Sequence, residues 1–238
     1  PTTGRVALFG DPAWNAPATN RARIGFVPQR FEVFQWMPLW DCLKLIGSFY
    51  EQWDHEFLID LAKTWGLNLN AKIRTLSGGQ QQQAAILLAL GHRPEFLVLD
   101  EPVSSLDPGA RRAFLSTLIG LNNDHDQTIL FSSHIVSDIE RIATDVAILH
   151  RGRIVLHEAL DTLKEDVLRL EIRHPRRRLP DRLEVPGLLD YRIIDDGAAR
   201  ALIMSNGAEH PVELGEHLQA EVHPRPLPLE ELLLELTA

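Results

Sequence analysis

The segment Phe96-Leu97-Val98-Leu99-Asp100-Glu101-Pro102 constrains the fold more than any other stretch of this chain. Four consecutive apolar residues leave no polar face, so the strand they form reads as covered on both sides, the situation of a central strand in a parallel sheet. The two carboxylates that follow mark its polar end, where layered α/β sheets open onto ligands. The flanking sequence agrees. A Gln- and Ala/Leu-rich helix is expected over Gln80 to Gly91, ended by Gly91 and Pro94. Another helix is expected over Arg111 to Leu121, a second buried strand over Thr128 to Phe131, and a helix over Val136 to Ala143. Strand, helix, strand, helix implies right-handed crossovers and a layered α/β core of mostly parallel strands.

Upstream, Arg5 to Phe9 reads as a strand ended by Gly10-Asp11-Pro12, and Ile24 to Val27 as another ended by Pro28, with loop between them. Asp41 to Trp65 places Leu45, Phe49, Trp53, Phe57, Leu61 and Trp65 near helical spacing, which predicts two helices broken around Glu51 to Asp54. Val146 to Leu149 and Arg153 to Leu156 flank His150-Arg151-Gly152 as a hairpin. After about Asp161 prolines and the cluster Arg176-Arg177-Arg178 change the character, and a small α+β appendage is expected. Its strands lie near Leu168 to Ile172, Tyr191 to Ile194 and Arg200 to Ile203, with a closing helix over Leu229 to Leu236.

Composition limits the function classes. The chain has 238 residues, 45% hydrophobic and 24% charged, enough apolar material for a sizeable core. With 33 acidic against 24 basic residues the formal net charge is -9, which disfavours a broad nucleic-acid footprint. The Arg176–Arg178 cluster with Arg173 and Arg182 reads as a solvated charge run before it reads as an anion or membrane-surface patch. One cysteine, Cys42, provides neither an internal disulfide nor a cysteine metal site and fits a reducing compartment. No apolar run reaches the roughly 18 residues of a membrane span, and no signal segment opens the chain.

Four elements stand in order: Gln29 after Val27-Pro28, the pentapeptide Leu76-Ser77-Gly78-Gly79-Gln80, the strand with Asp100 and Glu101, and Ser132-Ser133-His134. Ser105-Leu106-Asp107 comes between the last two. Each alone has an ordinary reading as a cap, turn or strand end. Together, across Leu76 to Glu158, they resemble the nucleotide-binding subunit of ATP-binding-cassette (ABC) transporters. Leu76 to Gln80 matches that family's signature without substitution, Leu97 to Glu101 its Walker B strand and following carboxylate, Asp107 its D-loop, His134 its switch histidine and Gln29 its Q-loop glutamine. Phe49-Tyr50 with Trp53-Asp54 further resembles the helical insert of ATPases serving ABC-2 type exporters.

The resemblance implies a P-loop NTPase-like core over 1–160, with a helical insert at about 38–92, and an accessory region over 161–238. It implies ATP as substrate, Mg²⁺ near Asp100 and Gln29, Glu101 as general base and His134 at the terminal phosphate. Ser77, Gly78, Gly79, Gln80 and Asp107 would contact nucleotide across a head-to-tail dimer. The implied partners are a second nucleotide-binding subunit and an integral membrane permease, and no nucleic acid is expected. The place is the cytoplasmic face of the cell membrane. The chemistry agrees: a carboxylate at a strand's C-terminal end suits a hard cation, and glycines at a helix N-terminus let backbone N–H groups approach phosphate.

The phosphate loop G-x-x-x-x-G-K-[ST] is the exception. Lys44, Lys63, Lys72 and Lys164 follow Leu, Ala, Ala and Leu, so the 238 residues contain no Gly-Lys. The opening Pro1 to Val6 resembles the segment that follows the phosphate-loop helix in the family. The expectation is that a preceding strand, loop and helix lie outside these residues and that the 238 residues alone hydrolyse ATP negligibly. The alternative is a shortened regulatory subunit that lends its signature to a complete partner. A DNA-repair or chromosome ATPase of the same class fits less well, since neither heptads nor metal-spaced cysteines are present.

Overall fold

The computed structural model describes residues 3–125, 127–174, 178–204 and 210–237, which divide into two compact units, 1–135 and 136–238. Contact therefore changes hands well before Asp161, where the composition shifts. Of the arginine cluster, Arg176 and Arg177 lie outside the described residues.

The first unit begins with a small hairpin, β1 (Ala7–Leu8) against β2 (Asp11–Pro12), turned by Phe9 and Gly10 at φ of 52° and 87°. Two positive φ values in a two-residue loop match the twist of a hairpin. Gly10-Asp11-Pro12, expected to end a strand, thus supplies its partner. A short helix, α1 (Ala18–Arg21), occupies part of the expected loop. Strands β3 (Ile24–Val27), β4 (Phe96–Leu99) and β5 (Thr128–Phe131) form the expected parallel sheet, with β4 central. Val27, Leu99 and Phe131 are in register, so the residues that follow each strand emerge along one edge.

Between β3 and β4 lie α2 (Leu39–Gly47), α3 (His55–Thr64) and α4 (Gly78–Leu90). The predicted break between the first two is real, and Asp54 caps α3 by accepting from the Phe57 N–H at 2.9 Å. Helix α4 packs so tightly on the sheet that a Cβ at Gly25 would lie 2.6 Å from the Ala89 carbonyl oxygen. Leu97 and Leu99 are fully buried on that face. The opposite face is less covered than a four-residue apolar run predicts: Phe26 and Leu130 are 58% and 57% exposed beside the half-buried Val98. After β4, α5 (Pro108–His125) starts three residues earlier than its apolar pattern indicates, because Asp107 caps it.

The second unit contains α6 (Val136–Ile142) and a hairpin of β6 (Asp145–His150) with β7 (Arg153–Ala159). Arg151 and Gly152 turn it at φ of 47° and 76°. Then follow α7 (Leu160–Asp166), β8 (Val167–Arg173), β9 (Leu188–Asp195), β10 (Ala198–Met204), α8 (His210–Leu218), β11 (Glu221–Pro226) and α9 (Leu229–Thr237). The four strands form an antiparallel sheet in the order β11-β8-β10-β9. Pro224 and Pro226 sit in β11, an edge strand, where a missing N–H costs no ladder bond. Each sheet face has its own core: Val167 and Leu202 with Leu229 and Leu232 on one side, and Leu170 and Ile172 with Leu179, Leu183 and Leu214 on the other. The hairpin residues Val146, Ile148 and Leu156 join the first of these cores, with α6 packed against it, which explains why they cluster with the C-terminal region.

Candidate functional site

The in-register parallel strands bring three of the four sequence elements to one sheet edge. Gln29 follows β3 and is exposed, Asp100 and Glu101 follow β4, and Ser132 to His134 follow β5. The ladder continues one step beyond the strands, since Asp100 N–H donates to Val27 O at 2.9 Å and Ser132 N–H to Leu99 O at 2.9 Å. That extra step places the side chains.

His134 Nδ1 lies 2.6 Å from Glu101 Oε2, so Nδ1 carries the proton of this hydrogen bond and Nε2 is left for another partner. The Glu101 side chain is 23% exposed and that of His134 68% exposed. Ser132 acts as a bracket: its hydroxyl donates to Asp100 Oδ1 at 2.8 Å and accepts from the Glu101 N–H at 2.8 Å. Glu101 itself has a φ of 48°, a left-handed conformation costing a non-glycine residue about 1–3 kcal/mol. Ser104 holds the other side, its N–H and Oγ both reaching the Glu101 carbonyl at 3.2 and 3.0 Å. A strained backbone clamped by two serines aims the carboxylate.

The pentapeptide forms the start of α4. Ser77 and Gln80 make a reciprocal capping box, with Gln80 N–H donating to Ser77 Oγ at 3.2 Å and Ser77 N–H to Gln80 Oε1 at 3.0 Å. The N–H groups of Gly78 and Gly79 in the first turn have no intrahelical acceptor. Gly79 packs against the Ser105–Leu106 backbone, where a Cβ would lie 3.1 Å from Ser105 O. Gln82, almost fully buried, donates to Pro28 O at 3.3 Å and so ties α4 to the residue before Gln29. Asp107 is engaged locally, its Oδ1 accepting from Gly109 N–H at 2.9 Å and Ala110 N–H at 3.2 Å.

Residues 1–104 match the family model described as ABC transporter. The chain is thus similar to ABC transporter ATP-binding domains. It is 32% identical over 170 residues to the uncharacterized ABC transporter ATP-binding protein YxlF of Bacillus subtilis (strain 168), a match covering 69% of this chain and 55% of that protein. The Nod factor export ATP-binding protein I of Burkholderia thailandensis is 28% identical over 213 residues, covering 82% of this chain and 69% of the relative. A sulfate/thiosulfate import protein of Xanthomonas campestris matches as well. Among solved structures, an ATP-binding subunit of an ABC transporter superposes with a TM-score of 0.59 at 27% identity, covering 65% of this chain and 66% of the other. The chain spans about half the length of the first curated relatives it matches, 55% and 46%. These neighbours fit the P-loop NTPase-like reading of the parallel-sheet core.

Two features of the site escaped sequence reasoning. Ser132 binds the Asp100 carboxylate and the Glu101 N–H, and its only signal was a small hydroxyl one residue past a strand in register with β4. Asp107 doubles as a helix cap, which the pattern Asp-Pro-Gly announces. Among the described residues no group of three or more His, Cys, Asp or Glu forms a metal cage. The donors that suit Mg²⁺ are the exposed Asp100, whose Oδ1 is held by Ser132, and the exposed Gln29.

Proposed function

We propose that this protein is the ATP-hydrolysing subunit of an ABC transporter and that its core comprises 1–160, with 161–238 as an accessory region. The observation that carries the reading is the Glu101–His134 pair at 2.6 Å, on the same sheet edge as Asp100. Glu101 takes the proton of the attacking water, a role worth about 10²–10⁴ in rate. His134 holds Glu101 through Nδ1 and presents Nε2 to the γ-phosphate. Asp100, oriented by Ser132, and Gln29 hold the cation. Mg²⁺, when bound, neutralises developing charge on the phosphates. Ser77, Gly78, Gly79 and Gln80 offer the free N–H groups and the positive dipole end of α4 to nucleotide held by a second ATP-binding subunit, with Asp107 at the same contact.

The same reading places the protein at the cytoplasmic face of the membrane on an integral permease, in the group that serves ABC-2 type exporters. The name of the Nod factor relative and the reach of that match into the second unit support export. Among the described residues no helix is long and apolar enough to cross a membrane.

Without Gly-Lys, the 238 residues by themselves bind ATP weakly and hydrolyse it negligibly. A second reading is a regulatory subunit whose signature completes the site of a full ATPase. The test is the coding DNA around the Pro1 codon. An in-frame phosphate loop and an adjacent gene with several apolar spans support the first reading. A start codon directly before Pro1 with no such loop overturns it in favour of the second.

A further inference from the structure

Helix α4 carries the signature at its N-terminal end, and its C-terminal end is built in an unusual way. Gly91 follows the last turn, where a glycine ordinarily serves a left-handed cap. Here Gly91 has φ -60° and ψ -31°, ordinary right-handed values that any residue adopts. The left-handed position falls instead on Arg93, at φ 51°. Backbone freedom therefore does not explain the glycine.

Space does. A Cβ on Gly91 would lie 2.4 Å from Trp53 Cζ2 and 2.5 Å from Cη2. At the five-membered ring of the same indole, a Cβ on Gly47, the last residue of α2, would lie 2.8 Å from Trp53 Cγ and Cδ1. Trp53 is thus wedged between the ends of α2 and α4. Its Nε1 is buried with no hydrogen-bond partner, so the ring's shape and not its donor is what the fold uses. His92 and Tyr50 extend the stack, with ring centroids 4.2 Å apart and 20° between planes. His92 Nε2 donates to Ile24 O at 3.1 Å, which ties the stack to β3. The next residue locks the joint: Asp54 N–H donates to Gly91 O at 2.8 Å, while Arg93 donates to Asp54 Oδ2 at 2.9 and 3.1 Å and covers the Phe57 ring at 3.6 Å.

We infer that Trp53 is a positioning residue for the signature: wedged between Gly47 and Gly91, it sets the seat of α4 and thereby where Ser77 to Gly79 are presented. An α4 of 13 residues spans about 20 Å and transmits a displacement of its end as a rigid rod. A methyl at Gly91 must retreat by about 1 Å to reach ordinary contact, and a misplacement of that size costs up to roughly 10²-fold in rate. The catalytic consequence rests on the function proposed above, whereas the wedge itself does not.

The test has two readouts. Spin labels on cysteines placed at the exposed Thr75 and Thr128 measure the seat of α4 against β5 in the 238-residue chain, with Cys42 buried and unlabelled. Wild type gives one narrow distance, Gly91→Ala shifts or broadens it, and Gly91→Ala with Trp53→Phe, which removes Cζ2 and Cη2, returns it to the wild-type value. If Gly91→Ala alone fails to fold, recovery of folding in the double variant carries the same meaning. In the assembled ATPase, the rate per titrated nucleotide site falls about 10- to 100-fold in Gly91→Ala with the KM for ATP unchanged, and the double variant recovers most of it. A Gly91→Ala protein indistinguishable from wild type overturns the inference, as does a double variant no better than the single. A distance rescue without any ATP hydrolysis by wild-type assemblies overturns the proposed function and leaves the wedge standing.

Discussion

Replacing Asp54 with alanine removes two interactions at once, and their sizes follow from the geometry. Asp54 Oδ1 caps α3 through the Phe57 N–H at 2.9 Å, and loss of such a cap costs about 1 kcal/mol. Oδ2 receives Arg93 Nε and Nη2 at 3.1 and 2.9 Å. Both side chains are 36% exposed, so solvent screening limits this pair to about 0.5 kcal/mol. The sum, about 1.5 kcal/mol, lowers the midpoint of the first unit by about 5 °C for a unit of this size. All five tryptophans lie within 1–135, so thermal unfolding followed by tryptophan fluorescence reports that unit alone. Asp54→Asn keeps a capping oxygen and loses the charge pair, so it falls by about a third as much. The pH dependence has a definite sign. The Phe57 N–H holds the Asp54 carboxyl below its ordinary value, against the opposing effect of burial and with further help from Arg93. A carboxylate with a lowered folded pKa contributes stability that is complete above the unfolded value of about 3.9 and is lost as pH falls through the folded one. The gap between wild type and Asp54→Ala therefore narrows below about pH 4. No shift at pH 7, or an equal loss for alanine and asparagine, refutes the reasoning.

Other outcomes follow from the same structure. Burial pushes the Cys42 thiol up to about 11, so thiol reagents at pH 8 leave the native protein unlabelled and label one site per chain after unfolding; rapid native labelling contradicts this. In the second unit, Glu235 accepts from Arg200 at 3.0 Å and lies 3.6 Å from Arg169, with its side chain 12% exposed. Glu235→Ala removes the carboxylate that pairs with Arg200 while Arg169 keeps Glu231 at 2.9 Å, and costs about 2 kcal/mol by far-ultraviolet circular dichroism in urea, while a loss below about 0.5 kcal/mol argues against the pairing. Ser132→Ala frees Asp100 and the Glu101 N–H, and in an assembled ATPase lowers kcat about tenfold, the effect of about 1.4 kcal/mol, with little change in KM. An unchanged kcat removes Ser132 from the site.

The elements that were legible in the sequence are those whose pattern repeats over enough residues to exclude alternatives. Phe96–Leu99 had one reading because four apolar residues next to two carboxylates admit little else, α2 and α3 followed from helical spacing, and α4 from its Gln-, Ala- and Leu-rich composition with Gly91 and Pro94 as its stop. Edge strand β11 was hidden by its own prolines, Pro224 and Pro226, which demote a run such as Glu-Val-His-Pro-Arg-Pro in any pattern-based reading. Helix α7 buries only Leu160 and Leu163, too few for a period to show. At the site, the sequence order named Gln29, Asp100, Glu101 and His134, and the register of three parallel strands then brought them to one edge. Ser132 stayed hidden because its importance is a hydrogen-bond geometry between strands, which spacing along the chain does not encode. Gly91 was legible as a helix terminator for the wrong reason, since the constraint comes from Trp53, 38 positions away.

Whether Glu101 is the base of an ATPase is decided by ATP hydrolysis in the full product of the reading frame that encodes these residues, assembled with its membrane partner. Glu101→Gln, isosteric and unable to accept the proton, lowers turnover by about 10²–10⁴-fold while ATP binding is retained. Turnover within a few-fold of wild type in that variant would contradict that role.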